Sequence, residues 1–147
     1  MLGIPACCLC RYGRIEGAIV QDKKRLLLCG PGLIGTQHAR RIEARPDCVL
    51  AIVVAPRSDV NIAFAAQRGA TLYSDIELAL ENEHIDAAII SSPNSFHFTQ
   101  AMACIAKRVP VLIEKPMTGS IYDARRLAMA AAEHQAVVLV GHHRTYS

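Results

Sequence analysis

The chain has 147 residues, a length typical of one domain, and its 52% apolar and 20% charged residues are ordinary for a globular protein. Aromatic residues make up only 5%, and the excess of 16 basic over 13 acidic side chains lies within residues 1–25, so that each sign counts 11 from residue 26 onward. This balance argues against a nucleic-acid or membrane-surface partner. The lack of any run of about 18 apolar residues argues against a membrane span.

Residues 1–24 show no helical or strand period and carry several glycines, which predicts a flexible N-terminal extension. Their first 20 residues lack a basic segment ahead of a sustained apolar run, so they predict no signal peptide. Three of the six cysteines crowd residues 7–10, and the other three lie in apolar patterns where a free thiol is a small buried hydrophobe. We therefore expect a cytoplasmic chain.

From residue 25 the sequence becomes regular, and we interpret residues 25–147 as one domain. Short apolar runs predict six strands over residues 25–29, 49–54, 70–72, 87–90, 111–113 and 137–140. The intervening segments predict five helices over residues 33–45, 59–68, 75–81, 94–107 and 120–134, with Ser58 and Ser74 as N-caps of the second and third. Apolar strands that alternate with helices predict an α/β fold, a doubly wound parallel sheet (Rossmann fold).

A glycine-rich turn, Gly30-Pro31-Gly32-Leu33-Ile34-Gly35, joins the first predicted strand to the first predicted helix. In such a loop the first glycine permits the tight turn, the second lets the backbone approach a pyrophosphate, and the third lets the helix pack on the strand. Free N–H groups and the positive end of the helix dipole then face the phosphates. The turn therefore predicts a dinucleotide site, and the alternative is a strand–helix turn that binds nothing.

The end of the second predicted strand indicates which dinucleotide binds. A carboxylate about 20 residues past the glycines holds the adenosine ribose in NAD-binding domains, but Ala55 stands in that position and Arg57 and Ser58 follow. A guanidinium and a hydroxyl suit a 2′-phosphate, so we predict NADP in preference to NAD. The alternative is that Ser58 only caps the helix and Arg57 is only solvated, with Asp59 able to reach the ribose.

Two further motifs follow the fourth and fifth predicted strands: Ser91-Ser92-Pro93-Asn94-Ser95-Phe96-His97 and Glu114-Lys115-Pro116. Ligands bind at the carboxyl ends of strands in this fold. With the glycine turn and the closing Gly141-His142-His143-Arg144, these motifs make residues 25–147 resemble the N-terminal domain of the glucose–fructose oxidoreductase / inositol dehydrogenase / MocA (Gfo/Idh/MocA) family. The Glu-Lys-Pro element is the specific part of the resemblance.

The resemblance implies NAD(P)-dependent oxidation of a CH–OH group on a sugar, inositol or related polyol, or the reverse reduction. It implies that Lys115 is the catalytic lysine, which hydrogen-bonds the reacting hydroxyl and helps to relay its proton. Glu114 is expected beside the nicotinamide ribose, and Pro116 is expected to shape the turn, often through a cis peptide. The other expected cofactor contacts are Gly30, Gly32, Leu33, Ile34, Gly35, Arg57, Ser58, Ser92, Pro93, Asn94, His97, Lys115 and Arg144.

Plainer interpretations remain for several of these residues. Glu114 and Lys115 are also compatible with a solvated ion pair at a strand end. His97 is more typical of a helix-start or packing histidine than of a catalytic base. His142 and His143 lack a complementary ligand set, so we expect no metal site. The remaining histidines are assigned to helical or turn surfaces without a role: His38, His84 and His134.

Members of the family continue through a second, mixed α/β domain that supplies most substrate contacts, whereas this sequence stops at Ser147 and has no Asp-x-x-x-His element. We therefore expect a truncated chain that holds the cofactor half, is catalytically incomplete, and meets a polyol only if a second domain is supplied. The alternative is a non-catalytic dinucleotide-binding sensor or accessory module. An exposed apolar sheet face is expected, with self-association as its consequence.

Overall fold

The computed structural model describes residues 14–15, 18–19 and 22–141. The strands are β1 Arg14–Ile15, β2 Ala18–Ile19, β3 Lys24–Cys29, β4 Cys48–Val54, β5 Thr71–Tyr73, β6 Ala87–Ile90, β7 Val111–Glu114 and β8 Val138–Gly141. The helices are α1 Leu33–Glu43, α2 Asp59–Ala66, α3 Ile76–Asn82, α4 His97–Ala106 and α5 Ile121–His134, and a 3₁₀ turn, Asn94–Phe96, leads into α4.

β1 and β2 pair with each other in antiparallel fashion, and the other six strands form one parallel sheet in the order β5-β4-β3-β6-β7-β8. The chain enters this sheet at β3 and adds β4 and β5 on one side. It then crosses back and adds β6, β7 and β8 on the other side. The direction of winding reverses between β3 and β6, so the predicted doubly wound fold is confirmed, and its carboxyl edge at this point is where ligands bind in such sheets.

The core has two parts, one on each face of the sheet. On one face, Leu28 of β3 packs with residues of β4 and of helices α1 and α2. On the other face, Leu27 and Cys29 pack with residues of α3, α4 and α5. All three of these β3 side chains are fully buried, as expected for a central parallel strand that helices cover on both sides.

One row of side chains across the sheet runs from buried to exposed. Leu28, Ile89, Leu112 and Leu139 are paired in register on neighbouring strands, so they lie on one face of the sheet. Leu28 is fully buried under α1, whereas Leu139 is 60% exposed on the edge strand β8. Within residues 22–141 the α1 face of the sheet is therefore left partly uncovered at β8. We call the half-buried and exposed members of this row, Ile89, Leu112 and Leu139, the exposed apolar row.

Most predicted elements agree with the structure to within one or two residues, and the differences have local causes. Ser58 caps α2 as predicted, because its hydroxyl accepts the N–H of Asn61. The predicted cap of α3 was wrong: Asp75, not Ser74, accepts the N–H of Leu78. Both residue types cap helices well, so the sequence alone did not choose between neighbours.

The cysteines that lie in the described residues are free, and two of them are buried as predicted. Burial raises the pKa of the Cys104 thiol to about 12 and raises that of Cys29 well above its ordinary value, with a smaller contribution from Cys104. Cys48 is only half-buried. The cysteines at residues 7–10 lie outside the described part of the chain. No helix in that part is long and apolar enough to cross a bilayer.

Asp86 fixes the amino end of β3 to the loop before β6. Its carboxylate accepts the Arg25 backbone N–H at 2.8 Å and pairs with the Lys24 ammonium at 3.0 Å. The backbone hydrogen bond is the main cause of a lowered pKa for Asp86, and Lys24 adds to it. We expect Asp86→Asn to lower the free energy of unfolding at pH 7 by about 1–2 kcal/mol, because charged hydrogen bonds to the backbone are lost.

The sign of the pH dependence follows from the direction of the pKa shift. A carboxyl group whose pKa is lower in the folded protein than in the unfolded chain stabilises the fold when it is ionised. This stabilisation is complete at pH values above the unfolded pKa of about 3.9 and disappears as the pH falls through the lowered pKa of the folded protein. Urea unfolding of wild type and Asp86→Asn at pH 7 and near pH 2.5 measures the contribution of Asp86 to the free energy of unfolding. Asp22→Asn, at an exposed position, is the control. An equal stability difference at both pH values would contradict this account.

Candidate dinucleotide-binding site

The turn after β3 is built around Gly30, whose φ is +80°. Its N–H donates to the Val54 carbonyl at 3.0 Å, which ties the turn to the end of β4. A Cβ at Gly30 would lie 2.5 Å from the Ser92 Cα. The position therefore requires glycine for two reasons, since it combines a left-handed backbone conformation with close contact to the loop after β6.

Gly35, in the first turn of α1, lies directly against this turn. A Cβ there would collide with the Gly30 carbonyl oxygen and would lie 2.8 Å from the Ser91 Oγ. That hydroxyl is directed at the Cys29 and Gly30 carbonyl oxygens, both 2.9 Å away. The close packing predicted for Gly35 is therefore present, and Ser91 takes part in it.

Gly32 has different surroundings, because among the described residues nothing apart from its chain neighbours and its own helix lies within 4 Å of a Cβ built there. Gly32 is the N-cap of α1 and offers no side chain to the N–H groups of the first turn, which also has no acidic residue. By contrast, Ser58, Asp75 and Ser120 cap their helices with side-chain oxygens. The first-turn N–H groups have no acceptor within the helix, so open space and free donors coincide, and these residues fit a pyrophosphate.

The end of β4 lies beside the glycine turn. Ala55 is buried, and Arg57 and Ser58 are exposed. The Ser58 oxygen already accepts the Asn61 N–H at 3.3 Å, so its capping role is real, but its hydroxyl proton remains available for a second hydrogen bond. Within the described ranges the Arg57 guanidinium forms no hydrogen bond or ion pair, which leaves it available to an anion.

His97 links the loop after β6 to the loop after β7. It is only 2% exposed, and its Nε2 and Nδ1 lie 2.8 Å and 2.9 Å from the Ser92 and Pro116 carbonyl oxygens. Carbonyls only accept, and a neutral imidazole has one N–H, so such a ring donates to one of them at a time. This geometry supports the packing interpretation of His97 rather than a direct cofactor contact.

Two other residues of the same loop are half-buried. The Ser92 hydroxyl donates to the Gln100 Oε1 at 2.6 Å. The Asn94 Oδ1 is buried and has no hydrogen-bond partner among the described residues. Since buried acceptors are nearly always satisfied in proteins, this oxygen is available to a donor on a ligand or a water molecule. Pro93, between them, is exposed.

Glu114, Lys115 and Pro116 follow β7, and the Lys115–Pro116 peptide is cis. Lys115 is exposed, whereas Glu114 is half-buried. One Glu114 oxygen, Oε2, lies 3.3 Å from the Lys115 backbone N–H, and the other, Oε1, lies 2.8 Å from the Nε2 of His38. Glu114 therefore pairs with His38 and not with the Lys115 ammonium, so the solvated-pair interpretation does not describe it.

The assignment of His38 to a helix surface was wrong. His38 is 9% exposed and lies on the buried stripe of α1 with Gly35, Ala39 and Ile42. Spacings of three and four residues place these positions on one helix face, so the sequence held a signal that His38 is buried. It held none for the partner, which lies 76 residues further along the chain.

The other histidines and Arg144 lie away from the site or outside the described residues. The His84 side chain is 63% exposed and its Nε2 lies 3.9 Å from an Asp86 oxygen. His134 is half-buried at the end of α5. Arg144, with His142 and His143, lies outside the described residues. Among those that are described, no group of three or more His, Cys, Asp or Glu side chains is arranged to hold a metal ion.

A parallel sheet with a glycine turn at its switch point defines a dinucleotide-binding Rossmann domain. The chain belongs to the glucose–fructose oxidoreductase / inositol dehydrogenase / MocA family, because the model of that family, described as an oxidoreductase family with an NAD-binding Rossmann fold, matches residues 24–142. The resemblance drawn from the three motifs is thus confirmed.

Individual relatives agree with this assignment. The chain is 27% identical over 124 residues to a 4-carboxy-2-hydroxymuconate-6-semialdehyde dehydrogenase from a Sphingobium species, covering 84% of this chain and 39% of that protein. It is 29% identical over 129 residues to an inositol 2-dehydrogenase from Rubrobacter xylanophilus, covering 85% and 37%. The structure of the WlbA dehydrogenase from Bordetella pertussis, in complex with NADH and UDP-GlcNAcA, matches with a TM-score of 0.77 at 26% identity, covering 84% and 36%. The chain spans less than two fifths of each protein's length.

Proposed function

We propose that this chain binds NADP, in preference to NAD, along the carboxyl edge of its sheet and forms the cofactor half of an oxidoreductase acting on a CH–OH group of a sugar, an inositol or a related polyol. The observation that carries the proposal is that α1 begins at the open turn of Gly32 and, through His38 on the same helix, contacts the glutamate that precedes Lys115. Membership of the oxidoreductase family and the inositol dehydrogenase among the relatives support the substrate class.

In this proposal the backbone binds the phosphates and side chains orient the rest of the cofactor. The N–H groups of Leu33, Ile34 and Gly35 donate to the pyrophosphate, helped by the positive end of the helix dipole. Glu114 accepts hydrogen bonds from the nicotinamide ribose. The loop after β6 lines the nicotinamide side through Ser92, Pro93 and Asn94, and His97 supports that loop from behind. Arg144 is proposed as a further contact.

The dinucleotide supplies a nicotinamide ring that accepts or returns a hydride. The chain must then handle the hydroxyl proton of the substrate, and Lys115 is the residue we propose for this task. As the free amine, its Nζ accepts a hydrogen bond from the reacting hydroxyl, takes up the hydroxyl proton as the carbon loses its hydride, and passes that proton to solvent. In the reverse direction, Lys115 donates a proton to the carbonyl oxygen. A positioned group of this kind contributes about 10²–10⁴-fold to such reactions.

Since Lys115 is exposed, we also propose that turnover needs protein groups beyond residues 22–141 to enclose the substrate and exclude water. The exposed apolar row is the surface we propose for self-association or for contact with such a second domain, because a water-exposed apolar sheet face favours burial. Turnover of a polyol by the chain alone, as a monomer, would contradict this part of the proposal.

The choice of NADP depends on Arg57, so Arg57→Leu tests it. A guanidinium bound to a phosphate contributes about 1.5–3 kcal/mol, so the variant is expected to bind NADPH about 10–100-fold more weakly than wild type. Affinity for NADH, which lacks the 2′-phosphate, is expected to stay within about twofold. Titration of nicotinamide fluorescence measures both dissociation constants.

The matched control is Arg125→Leu, which removes an exposed arginine on α5. It is expected to bind both cofactors like wild type, which would exclude a general effect of lowered positive charge. A wild-type chain that binds NADH more tightly than NADPH would overturn the preference, while leaving the dinucleotide site itself in place. A chain that binds neither cofactor would overturn the proposed function.

A further inference from the structure

We propose that His38 is a positioning residue for Glu114: its imidazole N–H fixes the carboxylate in the orientation that receives the nicotinamide ribose. This inference rests on the proposed function and deepens it, since neither the glycine turn nor the Glu-Lys-Pro element includes a histidine of α1. The contact joins the Nε2 of His38 to the Oε1 of Glu114 at 2.8 Å, and both side chains are largely buried, with 11% and 18% of their surfaces exposed.

The direction of the hydrogen bond follows from the chemistry of the two groups. A carboxylate only accepts hydrogen bonds, so the His38 Nε2 must carry the proton. The N–H of an imidazole bound to a carboxylate is a charge-assisted donor, and such bonds are shorter and stronger than neutral ones. The separation of 2.8 Å lies in that range.

Two further contacts restrict the same carboxylate. Its Oε2 lies 3.3 Å from the Lys115 backbone N–H. Gly141, which pairs in register with Glu114 on β8, presents only hydrogen atoms to it, and a Cβ there would come within 3.1 Å of Oε1 and 3.3 Å of Oε2. The carboxylate is therefore bonded from α1 and from its own backbone and lies close to β8, so its rotation is limited before any ligand arrives.

Holding a glutamate in advance matters because it is a flexible side chain. Fixing a free glutamate costs up to about 1.5–2 kcal/mol of side-chain entropy, which must otherwise be lost at the moment of binding. A hydrogen bond that already fixes it in the free protein removes much of this cost. Without His38, Glu114 would also be a half-buried carboxylate with one partner fewer.

The position of His38 on α1 gives the contact a second consequence. The N–H groups proposed to bind the pyrophosphate belong to residues 33–35, and His38 follows Gly35 by three residues, about 5 Å along the helix axis. One rigid helix therefore carries both the phosphate donors and the group that orients Glu114. The spacing between the pyrophosphate and nicotinamide-ribose contacts is set by α1 rather than by loops.

The test compares His38→Met, which keeps a similar volume but has no donor, with His38→Gln, which restores an N–H of similar reach. Each variant is titrated with NADPH, NADH and ADP, which lacks the nicotinamide ribose. We expect His38→Met to bind the better of the two reduced dinucleotides about tenfold more weakly, with ADP affinity unchanged, and His38→Gln to recover to within about threefold of wild type. His84→Met, at an exposed position, is the matched control.

A double-mutant cycle with Glu114→Gln measures the coupling between the two residues in dinucleotide binding, which a histidine with a purely structural role would not show. If His38 acts through Glu114, the double variant binds about as weakly as Glu114→Gln alone. Additive losses, or equal dinucleotide affinity in His38→Met and wild type, would overturn the inference. The inference would also be overturned if His38→Met lost affinity for ADP and for the dinucleotide to the same extent and His38→Gln did not restore it.

Failure of the proposed function gives a different result, because wild type itself would then bind none of the three nucleotides. If a His38 variant does not fold, the His38–Glu114 pair can still be tested in the folded wild-type protein by NMR, through the ¹⁵N chemical shifts of the imidazole nitrogens. We expect the His38 proton on Nε2, with a change in the shift in Glu114→Gln. A His38 resonance that is identical in the two proteins, or a proton held on Nδ1 alone, would overturn the inference.

Discussion

Gly32→Ala is expected to weaken dinucleotide binding by about 100-fold or more while lowering the free energy of unfolding by about 1 kcal/mol or less. The backbone at Gly32 is extended, with φ −72° and ψ −162°, so alanine is allowed there. Its Cβ would meet nothing within 4 Å in the described part of the chain beyond its own neighbours and helix. The methyl group would instead occupy the space in front of the free N–H groups of α1, where a pyrophosphate must approach.

Gly35→Ala is expected to give the opposite result, with a loss of about 3 kcal/mol or more in stability. Its Cβ would overlap the Gly30 carbonyl oxygen and approach the Ser91 Oγ, so α1 would have to move away from the turn. Urea unfolding measures stability, and fluorescence titration with NADPH and NADH measures binding. Gly119→Ala is the control, since its Cβ would make only an ordinary 3.6 Å contact.

Together the two glycine variants separate the phosphate site from the fold. A Gly32→Ala protein that binds both cofactors like wild type would show that the phosphates do not lie at this turn. A Gly35→Ala protein with wild-type stability would show that α1 does not pack as closely on the turn as described here.

Lys115→Met is expected to lower kcat for polyol oxidation by about 10²–10⁴-fold, because the group that receives the hydroxyl proton is lost. Cofactor affinity is expected to stay within about threefold, since the exposed Lys115 side chain contacts none of the groups proposed to bind the phosphates. Steady-state kinetics with inositol and other polyols measures the first quantity, using the chain joined to the second domain of an inositol dehydrogenase. Fluorescence titration measures the second.

Lys107→Met removes another exposed lysine, at the end of α4, and is expected to leave both quantities unchanged. Equal loss of kcat and of cofactor affinity in Lys115→Met would indicate that the lysine binds the cofactor instead of moving a proton. A form that binds NADPH but oxidises no polyol in any assembly would favour the sensor or accessory-module alternative.

The strands could be predicted from the sequence because buried parallel strands are continuous apolar runs, and each of the six lies within one residue of its expected bounds. Helix starts were less certain. Ser74 and Asp75 are both good N-caps, and only the structure shows which one accepts the Leu78 N–H. The segment 94–96 forms a 3₁₀ turn rather than the first turn of an α-helix, a difference that residue preferences do not encode.

The glycine turn could be predicted because each of its glycines has a local reason to be there. The contacts of His38 and His97 could not, since each depends on which distant strand ends the topology brings together. His38 meets Glu114 only because α1 lies over the sheet near the end of β7. His97 meets the Pro116 carbonyl because the loops after β6 and β7 leave the sheet side by side.

The contact among Gly30, Gly35 and Ser91 limits how this sequence can diverge. Ser91 lies 61 residues from Gly30, yet its carbonyl carbon and the Ser92 backbone fill the volume that a side chain on Gly30 would need, and its hydroxyl lies with the Gly30 carbonyl in the volume beside Gly35. Because these collisions are with backbone atoms, no side chain at position 91 can relieve them, and both positions should remain glycine among descendants of this chain. A recombination point between residues 35 and 91 would therefore succeed only when the incoming loop after β6 follows the same backbone path.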